Sequence, residues 1–89
     1  MNNKLENDRF EAMHLLDAQG LLCPEPVMLL HKKMRSISAG EVIKVVATDA
    51  STERDIPRFC EFLRHPLLGS EAGSGQYVYW IKKREATPT

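Results

Sequence analysis

The sequence predicts an α/β fold, more narrowly an α+β two-layer sandwich, in which a mixed four-stranded sheet is covered on one face by two helices in the order β-α-β-α-β-β. Two observations predict it. A strand, a helix and a second strand follow one another within residues 12–48, and this succession implies a right-handed crossover with parallel pairing of the two strands. Both predicted helices have a single apolar stripe, so they must cover the same sheet face to form one core.

The length and charge of the chain fit one small domain. The 89 residues contain 12 basic and 12 acidic side chains, and a chain of this size buries only a modest core. Residues 1–11 are mostly polar and are predicted to form a flexible N-terminal extension. Residues 12–84 are then the domain, and residues 85–89 a C-terminal tail. The balanced charge argues against a broad nucleic-acid-binding surface, so direct nucleic-acid binding is not expected.

Glycine and proline residues predict the boundaries in the first half of the domain. The first strand is expected at residues 12–18, before Gly20, which turns the backbone without a Cβ penalty. The first helix is expected from Pro24 to about residue 36 with Cys23 as its N-cap, because proline is favoured as the first helical residue. Pro26 fits the first turn, where an amide has no intrahelical partner. The apolar stripe of this helix comprises Val27, Leu30, Met34 and Ile37.

The second half of the domain is predicted to contain a strand, a helix and a hairpin. β-Branched residues dominate residues 41–48 and predict the second strand. The second helix is expected from Ile56 to about residue 64, after a short turn and with Asp55 as its cap, because Pro57 then falls in its first turn. Residues 67–71 and 77–83 are expected to form a β-hairpin around a Gly-Ser-Gly turn. The apolar face of the second helix comprises Ile56, Phe59, Cys60 and Leu63.

Cys23 is the candidate reactive residue. A thiol at the start of a helix lies beside unpaired backbone N–H groups and the positive end of the helix dipole, and both favour the nucleophilic thiolate. The alternative is that Cys23 is a small buried hydrophobe. Cys60 falls among core-facing positions, so a structural role is favoured over that of a resolving or second carrier thiol.

The pattern of cysteines and histidines predicts neither a disulfide framework nor a metal site. Two cysteines are too few for a disulfide-stapled fold, and the three histidines occur singly without ligand spacing. No apolar run approaches membrane-spanning length, and the N-terminus lacks the apolar core of a signal peptide. A cytoplasmic protein with no membrane partner is therefore expected.

Charged side chains on the first helix have two interpretations. Lys32, Lys33 and Arg35 share this helix with Cys23, so a docking partner would meet both the charge and the sulfur. Alternatively, they form a solvated face near the helix C-terminus, where cations are favourable. Glu25, beside the thiol, opposes the thiolate but complements the helix N-terminus.

The aromatic and basic residues of the last strand also have two interpretations. Tyr77, Tyr79 and Trp80 either stack on RNA bases or fill a sheet face, and the second interpretation is favoured because aromatics are ordinary strand residues. The basic run at residues 82–84 is interpreted as a solvated edge, since lysine discourages edge pairing.

Residues 16–26, which read Leu-Asp-Ala-Gln-Gly-Leu-Leu-Cys-Pro-Glu-Pro, closely resemble the signature of the TusA/SirA family of small sulfur-carrier proteins. That family carries a Cys-Pro-x-Pro motif after its first strand. Residues 52–62 resemble the second helix of the branch that includes the TusA sulfurtransferase. The resemblance covers residues 12 to 84, and it implies the same two-layer architecture.

The resemblance also implies a function. Cys23 would carry sulfur as a persulfide, supported by a motif that comprises Gly20, Pro24, Glu25 and Pro26. The donor would be a pyridoxal-phosphate cysteine desulfurase, and the acceptor a downstream relay protein, in a pathway that ends in 2-thiolation of the tRNA wobble uridine. Other members of the family feed sulfur to molybdenum-cofactor synthesis or to sulfur oxidation. Such a sulfurtransferase-type carrier needs no cofactor of its own, and none is predicted.

Two other classes of function remain as alternatives. One is a non-catalytic regulatory or interaction module in which Cys23 is structural and the face of the first helix binds a partner. The other is an RNA-binding module, which only the aromatic and basic residues of the last strand suggest.

Overall fold

The computed structural model describes residues 10–85, which form a four-stranded sheet and two helices. Their order is the predicted β-α-β-α-β-β, and the strand boundaries lie within two residues of the predicted ones. The predicted extension, apart from residues 10 and 11, and the predicted tail, apart from residue 85, lie outside the described residues. The elements are β1 (His14–Ala18), α1 (Glu25–Met34), β2 (Val42–Ala47), α2 (Thr52–Leu63), β3 (Leu67–Gly73) and β4 (Gln76–Lys82).

The sheet is mixed, with strand order β1-β2-β4-β3. β1 and β2 pair in parallel, as predicted, and His14 lies opposite Ile43. β4 runs antiparallel to both β2 and β3. Because β1 and β2 are parallel neighbours, both end at the same side of the sheet, which we call the carboxyl edge and define by Ala18 and Ala47. The segments that lead into α1 and α2 therefore start side by side at this edge.

Both helices cover one face of the sheet, as their apolar stripes predict. Alternate residues of β2 are buried, including Ile43 and Val45, and these residues share one core with residues of both helices. Alternation on β4 buries Tyr79 on this face and Trp80 on the other, where Phe10 packs with ring centroids 5.7 Å apart. The core cluster comprises Leu30, Met34, Ile37, Ile43, Val45, Ile56, Phe59, Cys60, Tyr79 and Ile81.

Helix α1 begins at Glu25, one residue later than predicted. The expectation that Cys23 is the N-cap and Pro24 the first helical residue is wrong. Pro24 is the N-cap, because its ψ of 15° is not helical while its carbonyl accepts the first helical hydrogen bond, from the N–H of Met28. Pro26 is the second helical residue, where its missing N–H removes no intrahelical bond, as the sequence predicts.

Helix α2 begins at Thr52 instead of Ile56, so the prediction of a separate turn with Asp55 as cap is wrong. Asp55 is the fourth residue of this helix, and Pro57 lies inside it. An interior proline costs a helix about 3 kcal/mol, since it removes one hydrogen bond and crowds the preceding turn. Because this cost disfavours a helix that encloses Pro57, the sequence predicts a start that is too late.

The turn before α2 explains the early start. The carbonyl of Asp49 accepts hydrogen bonds from the N–H of Thr52 at 3.0 Å and from its hydroxyl at 2.8 Å. The carboxylate of Asp49 accepts the N–H of Ser51 at 3.1 Å. These bonds fix the first turn ahead of Pro57, and the burial of the apolar face offsets the cost of the proline. That face comprises Ile56, Phe59 and Cys60, with Leu63 at its margin.

The last two strands form the predicted β-hairpin. Ser74 and Gly75 form its two-residue turn and both have positive φ, 55° and 77°, as a type I′ turn requires. The interpretation of residues 82–84 as a solvated edge is wrong for Lys83. Its ammonium group donates to the carbonyl oxygens of Met34, the last residue of α1, and of Ile37, which follows that helix. The bond to Met34 satisfies one of the last carbonyl groups of the helix, which have no intrahelical donors.

Candidate functional site

Cys23 is exposed and lies in the loop of residues 19–24 that leaves β1 at the carboxyl edge. Gly20 turns this loop with φ of +83°, and its N–H donates to the hydroxyl of Thr48, just after β2, at 2.8 Å. The N–H of Glu25 donates to the carbonyl of Leu22 at 2.8 Å and closes a turn around Cys23. The thiol is therefore presented on a loop that is fastened to the neighbouring parallel strand.

Asp49 joins this loop to the start of α2. Its Oδ2 accepts the backbone N–H of Cys23 at 2.6 Å and the hydroxyl of Ser51 at 2.9 Å. Hydrogen bonds from the N–H of Ser51 and then from that of Cys23 lower the pKa of the Asp49 carboxyl. An ionised carboxylate therefore holds the backbone of Cys23.

Asp55 contacts the sulfur itself. The Sγ of Cys23 donates to Oδ2 of Asp55 at 3.4 Å, and the Nε of Arg54 donates to Oδ1 of the same carboxylate at 2.9 Å. The hydrogen bond from Arg54 is the largest cause that lowers the pKa of Asp55, burial opposes it, and the bond from Cys23 lowers the pKa further. The partner of the thiol is thus a carboxylate in its charged form.

This geometry differs from the predicted environment of the thiol. Cys23 lies one residue before the N-cap of α1, and among residues 10–85 no side chain caps the first turn of that helix. The sulfur meets an acceptor on α2 where the sequence predicted N–H donors of α1. The sequence predicts only a capping role for Asp55 and no role in this site for Asp49 or Arg54. Parallel pairing of β1 and β2 was the available signal, because it places the loops that follow these two strands together.

The supporting motif residues have separate structural roles. Gly20 provides the turn, Pro24 caps α1, and Pro26 is buried in its first turn. Glu25 is exposed as the first residue of the helix. These residues shape the backbone on both sides of Cys23, and among them only Glu25 adds a charge.

The basic residues of α1 lie at the opposite end of that helix from the thiol. Lys32 and Lys33 are in its last turn, and Arg35 is its C-cap. The helix has ten residues and is therefore about 15 Å long, so these cations do not surround Cys23. They remain a predicted docking site for a partner whose contact extends along the helix.

Exposed apolar side chains lie closer to the thiol than the cations do. Leu22, directly before Cys23, is 69% exposed, and Met28, whose N–H bonds to the N-cap Pro24, is 60% exposed. Neither belongs to the buried stripe of α1. The sequence predicts no role for these two side chains, although the position of Met28 outside the stripe was a signal for its exposure.

Cys60 has the opposite surroundings. It is 4% exposed within the apolar face of α2, and burial raises the pKa of its thiol to about 12. This placement agrees with the predicted structural role. Across the described range, no His, Cys, Asp and Glu side chains form a group of three that could hold a metal ion, and neither helix there is long and apolar enough to cross a bilayer.

Known proteins resemble this chain over nearly its whole length. The family model described as Sulfurtransferase TusA matches residues 14–83. The sulfur carrier protein TusA of Pseudomonas entomophila is 62% identical over 69 residues, which are 78% of this chain and 86% of the relative. The sulfur carrier protein TusA of Pseudomonas syringae pv. syringae is 52% identical over 84 residues, 94% of this chain and 98% of the relative.

A solved structure supports the fold. The crystal structure of the SirA-like protein from Desulfitobacterium hafniense superposes with a TM-score of 0.71 at 24% identity, and the match covers 82% of this chain and all of that one. Sequence and architecture thus agree, and the family model and the two relatives show that the chain belongs to the TusA family.

Proposed function

We propose that the chain is a sulfur carrier that holds sulfur as a persulfide on Cys23, accepts it from a cysteine desulfurase and passes it to a downstream relay protein. The observation that carries this proposal is the contrast between an exposed Cys23 on a fastened loop and a buried Cys60. Relatives 52% and 62% identical to the chain are named sulfur carrier proteins. A carrier needs one accessible thiol, and Cys23 provides it.

The transfer follows the chemistry of thiol–disulfide exchange. The Cys23 thiolate attacks the terminal sulfur of the donor's persulfide, a new S–S bond forms on Cys23, and the S–S bond of the donor breaks. The donor cysteine leaves as a thiolate, and the transferred sulfur keeps its proton. In the second transfer, an acceptor thiolate attacks that sulfur and Cys23 becomes the leaving thiolate. Each step conserves electrons, so no external oxidant or reductant is consumed.

The surface around the thiol suits transfer between proteins. Cys23 is accessible, and its neighbours Leu22 and Met28 are exposed apolar side chains. A partner that docks on them can bring its own sulfur within reach of Cys23. We propose that the relay acts in the cytoplasm and ends in 2-thiolation of the tRNA wobble uridine. The carrier itself does not stack RNA bases in this proposal, since Tyr79 and Trp80 are buried.

Intact-protein mass spectrometry tests the proposal. Wild type, Cys23→Ser and Cys60→Ser are incubated with a cysteine desulfurase, pyridoxal phosphate and cysteine, with a known carrier labelled in parallel. We expect wild type and Cys60→Ser to gain one sulfur atom that reductant removes, and Cys23→Ser to gain none. An unlabelled wild type beside a labelled reference carrier would contradict the proposal, and so would labelling that survives in Cys23→Ser.

A further inference from the structure

The contact between Cys23 and Asp55 requires a proton on the sulfur. An ionised carboxylate has no hydrogen to donate, so Oδ2 of Asp55 can bond to Sγ of Cys23 at 3.4 Å only while the thiol is protonated. If the thiol ionises, the hydrogen bond becomes a repulsion between two negative charges. The two protonation states of Cys23 therefore differ in their interaction with α2.

Charges from three elements act on this contact. On α2, Arg54 binds Asp55 directly, and the charge of Arg58 also acts on that carboxylate. In the turn before α2, the Asp49 carboxylate holds the N–H of Cys23. At the start of α1, Glu25 is exposed beside the thiol. Asp55 is the carboxylate that contacts the sulfur, and Arg54 is the cation bound to that carboxylate.

We propose that Asp55 is a positioning residue that, through its hydrogen bond from the thiol, holds the unloaded Cys23 directed toward α2 and slows attack by its sulfur, and that Arg54 limits this effect. The inference rests on the proposed carrier function, and it adds a control on when the thiol can react. Ionisation breaks the hydrogen bond and repels the sulfur from Asp55 toward solvent, where a partner's persulfide can reach it. Asp55 thus slows the reactions of the unloaded thiol.

The rate of alkylation of Cys23 by iodoacetamide measures this control, because the reagent is neutral and reacts with the thiolate. The sulfur displaces iodide, a C–S bond replaces the C–I bond, and the proton goes to the buffer. A unit charge about 4 Å away changes such an ionisation in water by roughly fivefold. We therefore expect Asp55→Asn to accelerate alkylation at pH 7 about fivefold.

The neighbouring residues supply the second variant and the matched control. Arg54→Gln removes the cation that offsets Asp55, so it should slow alkylation about twofold, the opposite direction. Glu53→Gln removes a carboxylate from the same turn of α2 but from an exposed side chain without a described contact to Cys23, and it should leave the rate within a factor of about 1.5. Asp55→Glu, which keeps the charge, should restore slow alkylation.

An unchanged or slower rate in Asp55→Asn overturns the inference. If that variant does not fold, which alkylation of the buried Cys60 would reveal, Arg54→Gln decides: a rate equal to or above that of wild type overturns it. Sulfur loading by a desulfurase is measured on the same samples. Loading of wild type with no change of alkylation rate in Asp55→Asn refutes this inference alone, whereas a faster Asp55→Asn with no loading of wild type refutes the carrier function alone.

Discussion

The two cysteines of this chain carry the same functional group in opposite surroundings. Cys23 lies on a loop at the carboxyl edge, where Asp49 holds its backbone and Asp55 contacts its sulfur. Cys60 lies in the core, where burial raises the pKa of its thiol to about 12. Reactivity is therefore decided by the elements around each thiol: the loop after a parallel strand exposes one, and the apolar face of a helix protects the other.

The largest expected difference between the two thiols is in their rate of alkylation. At pH 8, a thiol with a pKa of about 12 is ionised in only about one molecule in 10⁴. Burial of Cys60 adds a steric barrier. We expect the native protein to incorporate iodoacetamide at the exposed Cys23 at least about 10² times faster than at the buried Cys60, as measured by mass spectrometry of the peptides.

A denatured sample is the control for this measurement. In 8 M urea, Cys60 loses its surroundings, and the two thiols should react at rates within about threefold of each other, because both become ordinary exposed cysteines. A rate for Cys60 in the native protein that approaches that of Cys23 would mean that the core around α2 opens, and it would remove the basis for a purely structural Cys60.

Replacement of Cys60 should lower the stability of the protein more than replacement of Cys23. Cys60→Ser places a hydroxyl among apolar neighbours and should lower the free energy of unfolding by about 1 to 2 kcal/mol. Cys23→Ser changes an exposed side chain and should cost less than about 0.5 kcal/mol. Urea unfolding followed by circular dichroism measures both.

Cys60→Ala separates the hydroxyl from the loss of sulfur. Alanine adds no polar group and is a good helix former, so it should cost less than serine at this position. An equal loss of stability in Cys23→Ser and Cys60→Ser would contradict the assignment of Cys23 to the surface and Cys60 to the core.

Sequence patterns predicted the core-forming elements well because each apolar stripe reports directly on one buried face. The stripe of α1, with Leu30 and Met34, and the β-branched run of β2 both lie where their periodicity places them. The predicted start of α2 is too late because it follows only the local preference against a proline inside a helix. The hydrogen bonds of Asp49 that fix the true start come from the turn before the helix.

The surroundings of Cys23 were the least predictable part of the site. The motif at residues 20–26 predicts Cys23 as the functional thiol, but Asp55, the carboxylate that contacts its sulfur, is 32 residues away in the sequence. The pairing of β1 with β2 brings the two residues together. The contact between their side chains also depends on the residue at which α2 begins. A helix that began at Ile56, as predicted, would have left Asp55 outside it.

Acidification should affect the surroundings of Cys23 and not those of Cys60, and this effect is the smallest of those expected here. Because its hydrogen bonds lower the pKa of Asp49, the stabilising contacts of that carboxylate are fully present above its ordinary pKa of about 3.9 and are lost as the pH falls through the lowered value. The amide signals of Cys23 and Ser51 in an NMR titration from pH 6 to pH 2 should therefore shift with a midpoint below 3.9, while the amide of Cys60 stays unchanged until the protein unfolds. Asp49→Asn should abolish this midpoint. A midpoint at or above 3.9 would show that Asp49 does not hold the Cys23 loop. Asp55 would then be the one carboxylate that distinguishes the surroundings of Cys23 from the apolar surroundings of Cys60.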